Sequence, residues 1–577
     1  MQRSPDHSAP SVDQALSSAQ RLAAEADGHC LVIACPGSGK TRLLAARAAR
    51  LLQTHPSGRL AAVTFTRESA SALRQRIVSV VGKVHENRVG AGTFHSLALQ
   101  QLRTQKGSKV FRVVNDGERY HLIWRAIRES REDVSMDDAV RIIEAYKASL
   151  LPPPNVGPAG AVFSAYQDLL SKRGAGDFQD ILLSAVRAMR DGQLAPMPVS
   201  WLLVDEAQDL DEIQYAWVMA HVRAGADTTL VADDDQCIYG WRYALGFDGL
   251  RRFEQDTGAQ RYVLDTNYRC RPEILTPAVR VIEHNPNRFS KGVQASRAAG
   301  GTCDLIPYPD TYAEITAGIN RIAPSPAGWA VLTRTNRLLD RIEAGLAGRQ
   351  IPYARVGDRS VWDRAPCVMF MALCHSLDGR DADGYSHVLS RYGLHGVALD
   401  KAMSLFQDVF QGGSGQLPEN SGLNEGAVAM VRRFARVCAD WRDLVLSGRI
   451  DLVLAGMAHW LVTNIDERGE GFFELVSAAL MRLRGSLSER LNVLSMAKST
   501  PKVRSGVVQI MTLHAAKGLE FPNVWLAGVD DHHMPHRDGD VEEERRLLYV
   551  GMTRAMEQLV ITWPQSDGGM SRFLAGL

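Results

Sequence analysis

The stretch that decides the architecture is Leu31-Val32-Ile33-Ala34-Cys35-Pro36-Gly37-Ser38-Gly39-Lys40-Thr41-Arg42-Leu43-Leu44. Its first residues form a short apolar run of the kind a buried strand uses. Its end opens a helix-like pattern that Ala48 and Leu51 continue. Between them, glycines let the backbone curl so that consecutive N–H groups point at phosphate oxygens, and the helix N-terminus adds its partial positive charge. The spacing predicts a phosphate-binding loop in which Lys40 reaches the β- and γ-phosphates and the Thr41 hydroxyl holds Mg²⁺. Ala34 stands where the strict pattern has glycine, while Gly37 and Gly39 keep the positions nearest the phosphates.

Such a loop needs a second metal ligand at the end of a neighbouring strand. Trp201-Leu202-Leu203-Val204-Asp205-Glu206 supplies four apolar residues and then two carboxylates. Asp205 is expected to hold Mg²⁺ through water. Glu206 is expected to orient or deprotonate an attacking water, a role a hydrolase needs and a kinase does not. Together with Lys40 and Thr41 the pair predicts a nucleoside triphosphatase.

Working outward, Ala61-Ala62-Val63 and Leu230-Val231-Ala232 have the same character as Leu31–Ile33 and Trp201–Val204, and each stops at a polar or glycine-rich turn. These predict buried parallel strands of one α/β core. Tyr262-Val263-Leu264, Ala330-Val331-Leu332, Val507-Val508-Gln509-Ile510, Val524-Trp525-Leu526 and Leu559-Val560-Ile561 predict a second core. Two long helical stretches lie between strands. One runs from about Phe94 to Asp177, broken by Pro152-Pro153-Pro154. The other runs from about Cys367 to Lys498, interrupted by Gly412-Gly413-Ser414-Gly415. A helical insertion in each core is the simplest account.

Composition is consistent with this. The 577 residues are 45% hydrophobic and 23% charged, with 66 basic against 65 acidic side chains, which excludes disorder as the main state. A near-neutral balance still allows basic groups to be confined to one nucleic-acid groove. No apolar run is long enough for a bilayer, no basic-then-apolar leader opens the chain, and residues 1–13 read as a loose polar tail. Eight cysteines without CxxC spacing argue against a zinc ribbon or a disulfide framework and fit a reducing, cytoplasmic setting.

Further strings make a resemblance specific. Asp205-Glu206-Ala207-Gln208-Asp209, followed by Asp233-Asp234-Asp235-Gln236-Cys237-Ile238-Tyr239-Gly240-Trp241-Arg242, resembles the superfamily 1 helicases of the UvrD/Rep/PcrA type. In the family's order come Gln20, then Thr64-Phe65-Thr66 (similar to motif Ia) and Gly92-Thr93-Phe94-His95 (motif Ib). Asn267-Tyr268-Arg269 resembles motif IV and Met511–Phe521 motif V; Glu543–Leu547 through Tyr549–Ala555 resembles motif VI. The matches span Gln20 to Arg554.

This resemblance implies two RecA-like P-loop NTPase cores, 1A and 2A, each with a mainly helical insertion, 1B and 2B. On that expectation 1A comprises residues 1–95 and 177–257, with 1B at 96–176. Likewise 2A comprises 258–370 and 504–577, with a reduced 2B at 371–503. The cofactors implied are ATP and Mg²⁺. Pro36, Gly37, Ser38, Gly39, Lys40, Thr41 and Gly518 would line the nucleotide. Arg42 and Tyr268 would sandwich the adenine, Gln20 read its edge, and Glu520 meet the ribose. Gln236 would sense the γ-phosphate. Arg269 and Arg554, both expected in the second core, would act as arginine fingers, contributing about 10³–10⁵ in rate. Closure of the cores on one nucleotide would then drive motion along a strand.

By the same resemblance, Phe65, Thr93, His95, Tyr239, Trp241, Arg242, Thr512 and His514 line a single-stranded DNA channel, with Trp241 the main stacking platform. Trp362 matches an aromatic position near it. The implied activity is 3′→5′ DNA helicase action on single strands and single/double-strand junctions. The alternative is a non-unwinding translocase or ATPase motor subunit of a nuclease complex, as in phage defence. A partner nuclease or repair protein fits either. Arg391-Tyr392-Gly393-Leu394-His395-Gly396 echoes the family's duplex-contacting glycine turn, and little chain follows motif VI for a fused nuclease. Asp530-Asp531-His532-His533 with His536 is expected to be a solvated loop rather than a metal site, and Asp177-Phe178-Gln179-Asp180 a structural segment.

Overall fold

Continuous apolar runs produce parallel strands buried on both faces, and the computed structural model contains two such sheets. It describes residues 16–104, 112–150, 157–414, 423–465, 471–496 and 506–577. The polar N-terminal tail, Pro152-Pro153-Pro154 and Gly415 lie outside the described residues. The chain forms two units, Met1–Ala299 with Asp540–Tyr549, and Gly300–Gly539 with Val550–Leu577.

In the first unit the strands are β1 (Cys30–Ala34), β2 (Leu60–Thr64), β3 (Val89–Thr93), β4 (Arg112–Val113), β5 (Ala175–Gly176), β6 (Trp201–Val204), β7 (Asp227–Ala232), β8 (Gln260–Leu264), β9 (Thr266–Asn267) and β10 (Gln294–Ala295). Six of them make a parallel sheet in the order β3-β2-β6-β7-β1-β8. Alternation within a strand sends Leu31 and Ile33 into one hydrophobic cluster and Val32 and Ala34 into another, so both faces are covered by helices. This is why β1 reads as an unbroken apolar run.

One strand departs from the sequence-based expectation. Tyr262-Val263-Leu264, assigned above to the second core, belongs to β8, the edge strand of the first sheet, paired from Cys30↔Gln260 to Ala34↔Leu264. An apolar run announces a strand but carries no record of its neighbour. Strand β3 was not foreseen, because Val89-Gly90-Ala91-Gly92-Thr93 offers little apolar surface.

The first helical stretch contains helices Phe94–Thr104, Asp116–Ser130, Met136–Lys147 and Pro158–Ser171, and the last three enclose a cluster of their own around Leu122, Ile143 and Tyr166. The Asp177–Asp180 segment is structural, as expected. Asp177 and Asp180 form a capping box on helix Phe178–Arg190, and the buried Lys147 ammonium lies 2.8 and 2.7 Å from their carboxylates.

The second unit holds β11 (Thr302–Tyr308), β12 (Trp329–Thr333), β13 (Tyr353–Arg355), β14 (Val508–Thr512), β15 (Phe521–Ala527) and β16 (Ala555–Pro564). They form a second parallel sheet in the order β11-β16-β15-β12-β14-β13. Among the described residues, seven helices between Ala365 and Met496 follow β13. Their buried side chains share one continuous cluster with Val331, Ile510 and Trp525 of the sheet, so this helical stretch is welded to its core. Arg391–Gly396 is a turn between two helices, with Gly393 at φ 81° and Gly396 at φ 54°. No helix among the described residues is long and apolar enough to cross a membrane.

Candidate functional site

Every strand of the first sheet runs the same way, so its carboxyl edge collects six loop beginnings, the usual place for ligands in such sheets. The order of strands sorts the predicted residues along that edge. Thr93 ends β3 and His95 follows it, and Phe65 follows β2. Asp205 and Glu206 follow β6, and Asp233–Gln236 and Tyr239–Arg242 follow β7. The glycine loop follows β1, and Asn267–Arg269 follows β8. Strand-contacting candidates thus occupy one half, nucleotide candidates the other, and the loops of β6 and β7 join them.

At the glycine loop, Gly37 (φ 64°) and Gly39 (φ 79°) adopt the left-handed backbone that forms the cradle, and helix Lys40–Thr54 begins at once behind it. Lys40 Nζ donates to Glu206 Oε1 at 2.9 Å, and Gln208 Nε2 donates to Glu206 Oε2 at 2.6 Å. Glu206 itself sits at φ 54°, a strained position for a non-glycine residue and one typical of functional loops. Burial would lower the Lys40 ammonium, but Glu206, Asp205 and Asp233 outweigh it and hold it above the ordinary lysine value. Burial, followed by the neighbouring Glu206 charge, lifts Asp205 to about 6.

Two buried polar atoms of the cradle, Ser38 Oγ and Arg42 Nη2, have no hydrogen-bond partner among the described residues. An orphaned hydroxyl and guanidinium beside curled backbone amides fit a nucleoside polyphosphate. The Thr41 hydroxyl and the Asp205 carboxylate are hard oxygen donors, which fit Mg²⁺.

Gln20 is buried, with Nε2 donating to Ser38 O at 2.8 Å and Oε1 accepting from Ser17 N. Its helix, Ser18–Glu25, is fastened by a residue that sequence reading passed over. The buried Arg47 donates to Ala23 O (2.9 Å), Ala26 O (2.7 Å) and Thr229 Oγ1 (2.8 Å), tying the helix that ends the cradle to the helix that bears Gln20. Asn267 Nδ2 donates to Pro36 O at 2.6 Å, and Tyr268 N donates to Gly37 O at 3.0 Å. A Cβ placed on Gly37 would stand 2.6 Å from Arg269 Cβ, so Arg269 packs directly on the cradle. Arg269 therefore belongs to the first unit, not to the second core where the resemblance had put it.

Arg554, in the second unit, is buried and donates to Val550 O (2.8 Å) and Leu519 O (3.0 Å). The bond to Leu519 O brings it beside Gly518 and Glu520. Thr512 ends β14 in the same unit, His514 follows it, and both are half-buried.

The strand half is aromatic. Trp241 is 58% exposed, Arg242 lies over its ring at 4.4 Å, and Tyr239 meets it edge-on at 6.4 Å. His95 stacks on Phe178 with ring centroids 4.0 Å apart, and burial depresses its imidazole to about 4, leaving it neutral near pH 7. Phe178, 54% exposed, is thus an unforeseen member of this surface. Its exposure beside a helix cap was the missing signal. Phe65 packs edge-on against Phe94, and Thr93 exchanges hydrogen bonds with Ser96.

Trp362 is a correction. It is 3% exposed, lies in the hydrophobic cluster of the second unit and donates from Nε1 to the Tyr353 hydroxyl at 2.8 Å. Its ring is satisfied as a core side chain and presents no face to a base. The Asp530 loop is less solvated than expected: Asp530 is buried and accepts from His533 Nδ1 (2.8 Å), and Asp531 pairs with Arg572. Among the described residues, the carboxylates placed closely enough to share a cation are Asp233, Asp234 and Asp235.

Comparison with known proteins agrees with this geometry. The family profile of the UvrD/REP helicase N-terminal domain matches residues 16–257, and that of the UvrD-like helicase C-terminal domain matches 262–392 and 466–566. The chain is 29% identical to DNA helicase II of Salmonella typhimurium over 96% of its own length and 84% of that protein. It is 28% identical to the ATP-dependent DNA helicase PcrA of Leuconostoc citreum (95% and 81%) and to the ATP-dependent DNA helicase Rep of Escherichia coli (93% and 88%). With a nucleotide cradle, paired carboxylates and an aromatic strap on one sheet edge, and both halves of the chain matched, the protein belongs to the UvrD/Rep/PcrA-type helicases.

Proposed function

We propose that this chain is an ATP- and Mg²⁺-dependent DNA helicase that moves 3′→5′ on single-stranded DNA and separates duplex ahead of it. The observation that carries the reading is the shared carboxyl edge of the first sheet, where one chain of hydrogen bonds runs from Lys40 through Glu206 and Gln208 to Asp233 and Gln236, beside the Tyr239–Arg242 strap.

Lys40 neutralises the β- and γ-phosphate oxygens. Glu206, fixed by Lys40 and Gln208, takes the proton of the attacking water as its oxygen bonds to the γ-phosphorus. The bond to the β–γ bridging oxygen breaks, and ADP leaves with that electron pair. Mg²⁺, held by Thr41 and Asp205, would supply charge neutralisation at the leaving phosphate. Arg269 and Arg554 act as the charge-neutralising arginines. The domains keep the limits given above, except that residues 258–299, with β8 and Arg269, join the first core. On the strand side, Trp241, Tyr239, Phe65 and the His95–Phe178 pair grip bases by stacking, at about 1–3 kcal/mol each, without sequence preference. Separating one base-pair step costs about 1.4 kcal/mol.

A strand-displacement assay on 3′- and 5′-tailed duplexes, with the protein alone, tests this. Separation of the 3′-tailed duplex only is expected. ATP turnover stimulated by single strands without separation of either substrate reduces the function to translocation, and separation from the 5′ tail alone overturns the polarity.

A further inference from the structure

The loop after β7 contains three consecutive buried carboxylates, Asp233, Asp234 and Asp235, and such a trio in a metal-using enzyme invites assignment to an ion. The structure fills the place from the protein itself. Lys291 Nζ, fully buried at the side-chain level, lies 2.9 Å from Asp233 Oδ1, 2.7 Å from Asp234 Oδ1 and 2.7 Å from Asp235 Oδ2. Arg288 adds a two-pronged pair to Asp235 at 2.8 Å for each bond, and Phe289 N donates to Asp234 Oδ2 at 2.7 Å. Three anions against two cations leave one net negative charge, spread over carboxylates that also receive N–H donors.

What Lys291 connects gives the cage its interest. On one side, Asp233 Oδ2 accepts from Gln236 Nε2, and Asp233 N donates to Gln208 Oε1, whose other end holds Glu206. The loop then runs directly into the Tyr239–Arg242 strap. On the other side, Lys291 lies three residues before β10, which pairs with β9 in the register Gln294↔Thr266 and Ala295↔Asn267. Asn267 and Tyr268 are bonded to Pro36 and Gly37 of the cradle. A circuit therefore closes from the glycine loop through Asn267 and Lys291 to the sensor loop and the strap.

We propose that Lys291 is the positioning residue that couples the nucleotide cradle to the strand-gripping strap, its ammonium serving as a tethered cation at the centre of the Asp233-Asp234-Asp235 cage. A tethered cation differs from a structural ion pair in one respect: it moves with the Asn267–Arg269 segment, so displacement of that segment by nucleotide is imposed on Gln236 and, through the loop, on Trp241. Burial pushes the Asp234 carboxyl up. It acts on Asp235 in the same sense, but Lys291 and Arg288 outweigh it and hold that group down.

The inference rests on the motor reading above, and the test separates the two. In the full-length protein, single-stranded DNA-stimulated ATP turnover and ADP affinity are measured for the wild type, K291A, K291M and K291M/D234N. Stimulated kcat is expected to fall about 10²-fold in K291A and K291M, the size expected of misplaced catalytic groups, with ADP affinity and the KM for ATP within about twofold of the wild type. Propylammonium added to K291A is expected to restore turnover and propanol is not, a response that a merely structural lysine would not give.

K291M/D234N restores the net charge of the cage and keeps the experiment decisive if the single variants fold poorly. It is expected to fold and remain uncoupled. Wild-type stimulation in K291M or in the double variant overturns the proposal. A wild type that single strands do not stimulate takes down the motor reading and this inference together.

Discussion

At the residue scale, the nucleotide site rests on side chains whose roles follow from what they touch. Glu206 is held at both carboxylate oxygens and strained at its backbone, so its position is fixed before any water arrives. Glu206→Gln keeps the shape and removes the proton acceptor. Turnover is expected to fall about 10²–10⁴-fold, with nucleotide affinity retained, as read by phosphate release and by titration with a fluorescent nucleotide. Trp241 stands exposed, with the Arg242 guanidinium over its ring and Tyr239 edge-on to it. Trp241→Ala is expected to weaken single-strand affinity by about 1–3 kcal/mol, measured by anisotropy, with ATP affinity unchanged. Both residues were legible in the sequence because each sits inside a short string, Asp205-Glu206-Ala207-Gln208-Asp209 and Tyr239-Gly240-Trp241-Arg242. Lys291 was not: it lies 56 to 58 residues from the carboxylates it binds, and no local spacing announces it.

At the scale of elements, the same residue type can mean opposite things. Trp362 and Trp241 both follow a glycine turn region, yet one caps a hydrophobic cluster and the other stands in solvent. Trp362→Phe is expected to leave single-strand affinity intact and to lower stability by about 1–3 kcal/mol, since it removes the hydrogen bond donated to the Tyr353 hydroxyl and the volume of a buried indole; chemical denaturation measures the loss. The cradle gives a sharper case. Gly37 needs a positive φ and tolerates no Cβ against Arg269, so Gly37→Ala is expected to abolish nucleotide binding while circular dichroism stays native. The strand runs and the helical stretches were readable from periodicity. Strand β3 was hidden by its glycines, and β8 was readable as a strand but not as a partner of β1.

At the scale of the whole molecule, each unit carries its own parallel sheet, and the second also buries a carboxyl group that no motif explains. Glu314, with none of its surface exposed, accepts at Oε1 from Gly528 N (2.8 Å) and from the Thr562 hydroxyl, while Oε2 has no hydrogen-bond partner among the described residues. Burial raises it from 4.5 to about 7. A carboxyl whose folded value lies above its unfolded one contributes stability at low pH, and that contribution is lost as pH rises from about 4.5 through 7. The thermal midpoint of the wild type relative to Glu314→Gln is therefore expected to fall between pH 5 and pH 8, the full difference corresponding to about 3 kcal/mol.

The sequence by itself determined the glycine loop, the Asp205-Glu206 pair that ends its strand, the family, and the presence of parallel strands and helical stretches. Those features are written in short-range spacing, where backbone geometry and side-chain chemistry act over a few residues. The tertiary structure decided which sheet β8 joins, that Arg269 packs on the cradle of its own unit, that Trp362 is core, and that Lys291 occupies the carboxylate cage. Parallel pairing and burial are collective outcomes of segments far apart in the chain. A strand's neighbour or an ammonium's counter-ions exist only once the chain has closed on itself.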